Sequence, residues 1–148
     1  MTSNYVVLLT VSMLASACSQ PAGPPLTISN VVVLEPLPGM SSAAGYLVLE
    51  NNSDQQITIE RITSPQFARI EMHETVIRDD VARMVSLSSL VVERQSNIVF
   101  EPGGKHLMLI ASSSDITPGL PVTIEFHHDL RGLLIVATTV SSRDDTPE

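Results

Sequence analysis

The sequence predicts an all-β protein, a single antiparallel β-sandwich or barrel, from three observations. Short runs rich in β-branched residues recur at spacings of about ten residues from Leu26 onward. Clusters of Pro, Gly, Asn and Asp separate most of these runs. No segment repeats its apolar residues with the helical period of about 3.6 residues, so few helices are expected. Many short strands at this spacing are typical of a sandwich or a closed barrel.

Nine strands are predicted in chain order from these runs, at residues 26–34, 45–50, 56–63, 68–74, 82–87, 96–100, 106–111, 121–127 and 133–140. Turn-forming residues separate most of them, at 36–39, 51–54, 78–80, 102–104 and 117–119. The predicted domain therefore spans residues 26–140. The flanking segments 18–25 and 141–148 lie outside the strands and are expected to be a flexible tether and a flexible tail.

Composition limits the chain to one domain and narrows its partners. At 148 residues with 43% hydrophobic content, the chain can build one core. That core should be aliphatic, because there are only three Phe, two Tyr and no Trp. The net charge of −8 argues against nucleic acid or an anionic membrane surface as a partner.

The N-terminus has the pattern of an export signal. Residues 5–17 are apolar or small, too short a run for a mature membrane-spanning helix, and they end at Ala15-Ser16-Ala17. Residues 1–17 are therefore predicted to be a signal peptide. Cys18 and the Pro/Gly-rich tether that follows resemble a bacterial lipoprotein signal, with Cys18 as the lipidated residue. No Lys or Arg precedes the apolar run, and Ala15 stands where that signal usually has Leu, so ordinary cleavage after Ala17 remains open. Both routes place the protein in the periplasm or cell envelope.

Cysteine usage excludes several kinds of site. Cys18 is the only cysteine and precedes the predicted domain, so the domain has no disulfide. A blue-copper centre needs a thiolate beside its histidines, and is therefore excluded. C-x-x-C redox chemistry and a cysteine-based zinc site are excluded for the same reason.

The histidines and methionines form the clearest motif. His73, Met84, His106 and Met108 are spaced H-x10-M-x21-H-x-M, in a chain with four histidines and six methionines. Thioether sulfur and imidazole nitrogen together suit a soft ion, above all Cu(I). Thioethers are not protonated and form no disulfides, so they can hold copper outside the reducing cytosol.

The predicted strands bring these residues together. His106 and Met108 are two apart on one strand, so both side chains point to the same face. If strands 68–74 and 82–87 pair as a hairpin, His73 and Met84 approach each other. All four are then expected to converge at one rim of the sandwich.

The motif and its surroundings resemble the PCuAC family of periplasmic copper chaperones. Residues 40–52 are similar to that family's early strand and Asn-rich turn, and residues 71–74 and 101–109 to its two ligand segments. The resemblance covers about residues 26–140. It implies a cupredoxin-like Greek-key fold that binds one Cu(I) per chain. It also implies delivery of that copper to cytochrome c oxidase subunit II, or to a thioredoxin-like copper chaperone. General periplasmic copper buffering would leave the same residues.

Further candidates each have a structural interpretation beside the functional one. Met72 is either a core residue, as strict alternation predicts, or a replacement thioether for Met84. Met40 is either a packing residue or a lid over the copper. Glu71 and Glu74 flank His73, and either could orient its imidazole or simply face water.

A second metal site and an enzyme activity are not predicted. His127 and His128 are adjacent, so they face opposite ways on a strand, which favours a surface turn over chelation. The chain also lacks a His/Met-rich C-terminal tail, which makes a Cu(II) site there doubtful. No catalytic motif is present. The alternative from another class is a cell-envelope β-sandwich lipoprotein that binds other ligands and has no metal role.

Overall fold

The structure is a computed structural model that describes residues 23–130 and 132–145, and it confirms the all-β prediction. The described residues form ten strands and one short 3-10 helix, Arg143–Asp145. The strands are β1 Leu26–Leu34, β2 Ser42–Asn51, β3 Ile57–Thr63, β4 Phe67–Arg78, β5 Val81–Leu87, β6 Leu90–Val92, β7 Ser96–Phe100, β8 Lys105–Ser112, β9 Pro121–His128 and β10 Gly132–Ser141. All nine predicted strands are present, and β6 is an additional one.

The strands form one continuous hydrogen-bonded ladder in the order β5-β4-β8-β7-β2-β1-β10-β9-β3-β6. Most neighbours pair antiparallel, as predicted. The exceptions are two short parallel contacts, where β1 meets β10 and where β7 meets β8. One half of the ladder comprises β5, β4, β8, β7, β2 and β1. The other half comprises β10, β9, β3 and β6.

The inner faces of the two halves share one hydrophobic core. Leu47 and Leu49 of β2 and Leu107 of β8 are buried in the first half, and Ile124 and Phe126 of β9 in the second. Side chains alternate along each strand, so every second residue is buried in β2 and, as far as Phe126, in β9. The core is aliphatic around a few Phe rings, as the composition predicts. It leaves the opposite face of the first half free for polar and functional side chains.

The β4–β5 hairpin is closed by a two-residue turn. Arg78 pairs with Val81, and the intervening Asp79 and Asp80 have φ angles of 52° and 59°. Positive φ at both central residues is the geometry of a type I′ turn, which matches the twist of a hairpin and which Asp tolerates. β5 lies at the end of the ladder, and residues 81–86 are all exposed.

The start of the predicted C-terminal tail is attached to the domain. Ser141 belongs to β10, and the Ser142 hydroxyl donates a hydrogen bond to Glu35 Oε1 at 3.1 Å. Arg143 Nε donates to the Glu35 carbonyl at 2.8 Å. The chain is thereby held beside the end of β1 as far as Arg143.

The predicted signal peptide, Cys18 and most of the tether lie outside the described residues. Within residues 23–130 and 132–145, no helix is long and apolar enough to cross a bilayer.

Candidate metal centre

The four motif residues lie on one outer face of three neighbouring strands. His73 on β4 stands directly opposite His106 on β8, and Met108 follows two residues along β8. Met84 on β5 stands opposite Thr75, which is two residues beyond His73 on β4. Because side chains alternate along a strand, all four point away from the core. The pairing of β4 with β5 thus brings Met84 beside the other three, as the hairpin hypothesis required.

The two imidazoles are neighbours with defined hydrogen bonds. Their ring centroids are 5.9 Å apart, and the ring planes are nearly perpendicular at 86°. His106 Nδ1 donates to the Gly104 carbonyl at 3.1 Å, which leaves Nε2 with its lone pair in the neutral ring. His73 Nε2 lies 3.1 Å from Glu71 Oε2, whereas His73 Nδ1 is buried without a hydrogen-bond partner.

A cavity of about 270 Å³ opens beside these residues. Its lining includes one imidazole and three thioethers, those of Met40, Met84, His106 and Met108. Ala44 and Tyr46 of β2 form part of its wall, as do Pro102 and Gly103. The site therefore occupies the outer face of the sheet next to the 101–104 turn, whereas the sequence predicted a position at a rim of the sandwich.

Met40 reaches the cavity from a tight turn. The Met40 N–H donates to the Leu37 carbonyl at 2.9 Å, and Gly39 between them has a φ of 81°. Pro38 followed by a glycine at positive φ is the pattern of a type II turn. The Met40 side chain is 57% exposed. Met40 is therefore an accessible thioether on the same cavity as three of the motif residues.

Met72 lies on the other side of the sheet. Its side chain is 5% exposed and belongs to the core, opposite Leu107 of β8. The Met72 side chain lies on the core face of the sheet, so it cannot replace Met84 on the outer face. Met40 is the additional thioether near the site. This matches the alternation argument for Met72.

The second histidine pair does not form a comparable site. His127 Nε2 lies 2.9 Å from the Thr63 hydroxyl, and the adjacent His128 points to the other face of β9. The His128 ring fills the space over Gly132, where an added Cβ would lie 1.9 Å from its Nε2. Across the described part of the chain, no three His, Cys, Asp or Glu side chains are grouped so that they could hold a metal ion. A metal ion on the outer face of β4 and β8 would therefore need thioethers among its ligands.

Two features of the site did not stand out in the sequence. Arg69 Nε lies 2.6 Å from Glu71 Oε1, so it anchors the carboxylate that contacts His73. The second feature is that Ala44 and Tyr46 of β2 line the cavity. Their alternation with buried Ala43 and Leu47 was the available signal, because it puts them on the outer face.

The fold is that of the PCuAC domains. The apo PCuAC domain of PmoF2 superposes with a TM-score of 0.67 at 19% identity, covering 83% of this chain and 94% of that domain. Its copper-bound form gives a TM-score of 0.65 at 18% identity, over 83% and 97%. The Cu(I) form of DR1885 from Deinococcus radiodurans gives 0.66 at 24% identity, over 87% and 86%. At these identities the similarity establishes the shared fold.

Sequence comparison gives the family. The chain belongs to the LpqE-like family, described as "Putative lipoprotein LpqE-like", whose pattern matches residues 26–140. An uncharacterized protein of Rickettsia prowazekii, RP573, is 28% identical over 104 residues, which cover 70% of this chain. The matched segment spans 58% of that relative's length.

Proposed function

We propose that this protein is an extracytoplasmic Cu(I) chaperone that binds one copper ion between His73, Met84, His106 and Met108. The observation that supports this most directly is the placement of two imidazoles and two thioethers on one face of β5, β4 and β8. A set of soft and borderline ligands with no thiolate suits Cu(I) held outside the cytosol. The fold shared with copper-bound PCuAC domains is consistent with this proposal.

The histidines are prepared to bind a metal. His106 directs its Nδ1–H to a backbone carbonyl, which fixes the ring and leaves Nε2 as the donor. The buried Nδ1 of His73 has no partner within the protein, and a buried polar atom without a partner is costly. A bound metal ion would satisfy it.

Release by ligand exchange is favoured by the position of Met84. Its side chain is 65% exposed on β5, the strand at the end of the ladder. His106 and Met108 lie on β8, which pairs with strands on both sides. An incoming ligand from an acceptor protein would therefore displace Met84 first, while β8 retains the copper. Edge strands with few packed contacts open most easily.

The acceptor and the location follow from family resemblance. We propose cytochrome c oxidase subunit II or a thioredoxin-like copper chaperone as the acceptor. General copper buffering is the alternative role for the same site.

The lipoprotein description of the family supports an envelope location with Cys18 as the lipid anchor. Lipid analysis of the membrane-extracted protein and its Cys18→Ala variant would test the anchor. Loss of the lipid in the variant alone is expected.

Metal selectivity tests the proposal. The purified protein should bind one Cu(I) per chain far more tightly than Zn²⁺, because thioethers are poor zinc ligands. Competition of each ion against a chelator measures this, and Cu(I) should bind well below about 1 μM, a free energy of about −8 kcal/mol. Similar Cu(I) and Zn²⁺ affinities would contradict the proposed ligands. Cu(I) binding no tighter than micromolar would favour the envelope lipoprotein without a metal role.

Acidity provides a second test. Protons compete with copper for the two imidazoles but not for the thioethers, so Cu(I) affinity should fall with falling pH. Chelator competition between pH 8 and pH 5 should show at least about a tenfold loss of affinity, with residual binding from the methionines. Unchanged affinity over this range would show that the histidines are not ligands.

A further inference from the structure

The carboxylate of Glu71 is held between Arg69 and His73 on the outer face of β4. Its Oε1 lies 2.6 Å from Arg69 Nε, and its Oε2 lies 3.1 Å from His73 Nε2. Because a carboxylate only accepts hydrogen bonds, His73 Nε2 is the nitrogen that carries the proton. The neutral ring then has its lone pair on Nδ1, the atom that is buried without a partner.

We infer that Glu71 is a positioning residue that makes the two histidines bind Cu(I) through different nitrogens, His73 through Nδ1 and His106 through Nε2. This inference rests on the proposed copper function. His106 has the opposite tautomer because its Nδ1–H donates to the Gly104 carbonyl. Each ring is thus fixed by a hydrogen bond to one nitrogen, and each offers the other nitrogen to the metal.

Glu74 cannot perform this role in the observed arrangement. It is adjacent to His73 in sequence, but it forms an ion pair with Lys105 on the neighbouring strand β8. The Lys105 Nζ lies 2.6 Å from the Glu74 Oε1. Adjacent residues on a strand face opposite sides, so Glu74 lies on the other face of the sheet from the motif residues. Of the two carboxylates that flank His73, only Glu71 contacts its ring. Glu74 is therefore a matched control on the same strand.

The tautomers can be measured before any copper is added. Long-range ¹H–¹⁵N spectra of the metal-free protein at pH 8 distinguish rings protonated at Nδ1 from rings protonated at Nε2. His73 should be protonated at Nε2 and His106 at Nδ1. In Glu71→Ala, His73 should lose its preference while His106 keeps its own. A wild-type His73 protonated at Nδ1 would overturn the inference whether or not copper binds.

Copper binding gives the second measurement. In the Cu(I) complex, the nitrogen signals perturbed by the metal should be Nδ1 of His73 and Nε2 of His106. Glu71→Ala should weaken Cu(I) binding about 10- to 100-fold, the usual effect of losing a partner that orients a metal-bound histidine. Glu71→Gln should recover part of this, because its amide oxygen still accepts the Nε2–H. Glu74→Gln should bind as the wild type does.

The outcomes separate this inference from the proposed function. If the wild type binds Cu(I) tightly and Glu71→Ala binds equally well, Glu71 has no positioning role and the copper function stands. Copper bound through Nε2 of His73 would likewise overturn the inference and leave the copper function intact. If the wild type binds no Cu(I), the proposed function fails together with this inference. Thermal unfolding of each variant shows whether a loss of affinity comes from a loss of fold.

Discussion

Met108→Leu is expected to lower Cu(I) affinity by at least about 100-fold while the protein stays folded. Loss of a residue that merely orients a metal ligand already costs about 10- to 100-fold, and Met108 is itself a proposed ligand. Leu is close to Met in volume, and such exchanges usually cost less than about 1.5 kcal/mol of stability. Met108 is also only partly buried, on the outer face of β8. Chelator competition measures the affinity, and thermal unfolding measures the stability.

Met84→Leu is the comparison for this experiment. Met84 is exposed on the edge strand, and the thioether of Met40 lines the same cavity. Met84→Leu should lower the affinity less than Met108→Leu, because Met84 is held by an edge strand whereas β8 pairs with strands on both sides. The Met40 thioether can partly replace either methionine, since it lines the same cavity as both. The double variant Met40→Leu/Met84→Leu should remove this compensation. Equal, full affinity in Met108→Leu and the wild type would refute β8 as the main strand of the site.

Leu107→Ala is expected to destabilise the fold by about 2–5 kcal/mol, the usual range for a buried Leu truncated to Ala. Leu107 stands between the two ligands of β8 but points the other way, and its side chain is fully buried in the core. An ideal Cβ at Gly45 would lie 3.1 Å from the Leu107 Cβ, which shows how closely β2 packs there. The truncation leaves a cavity that this packing cannot easily close.

Chemical denaturation at 25 °C measures that loss for Leu107→Ala. The folded fraction should still bind Cu(I) with an affinity near that of the wild type, because the ligands lie on the opposite face. Met108→Leu and Leu107→Ala thus separate binding from stability at adjacent positions of one strand. A change of less than about 1 kcal/mol in the unfolding free energy of Leu107→Ala would contradict the packing of this core.

Most strands were predictable because their residues alternate and turn residues separate them. The strand β6, Leu90–Val92, was missed because it has only three residues and is followed by the charged pair Glu93-Arg94. The strand β4 continues to Arg78, beyond its predicted end at Glu74. The turn at Asp79 and Asp80 was predicted. The extension of β4 and β5 up to these two residues was not.

The site was predictable as a set of residue types but not as a geometry. Spacing alone places His106 and Met108 on one face, since they are two apart on a strand. The facing pair of His73 and His106 depends on the register of β4 against β8. A tight turn sets the register of β4 against β5, but β5, β6 and β7 all lie between β4 and β8 in the chain. No turn therefore specifies the register of β4 against β8. A slip of one residue in that register would move His73 to the other face of the sheet.

The pairing of individual side chains could not be predicted from the sequence either. Glu71 and Glu74 were equal candidates to orient His73, and the partners of each decide between them. Arg69 fixes Glu71 on the site face, whereas Lys105 engages Glu74 on the other. The attachment of Arg143 to Glu35 likewise joins segments that are 108 residues apart. This contact places Arg143 on the wall of the cavity, in a region the sequence predicted to be a free tail.

The proposed ligand set can be counted directly by copper X-ray absorption on the protein loaded with one Cu(I). We expect two sulfur and two nitrogen neighbours, from the thioethers of Met84 and Met108 and the imidazoles of His73 and His106. Met40→Leu/Met108→Leu and Met40→Leu/Met84→Leu should each retain a single sulfur neighbour, because no second thioether of the described residues then lines the cavity. A spectrum of the wild-type complex without sulfur neighbours, or one identical in Met108→Leu at full affinity, would contradict the two-histidine, two-methionine site.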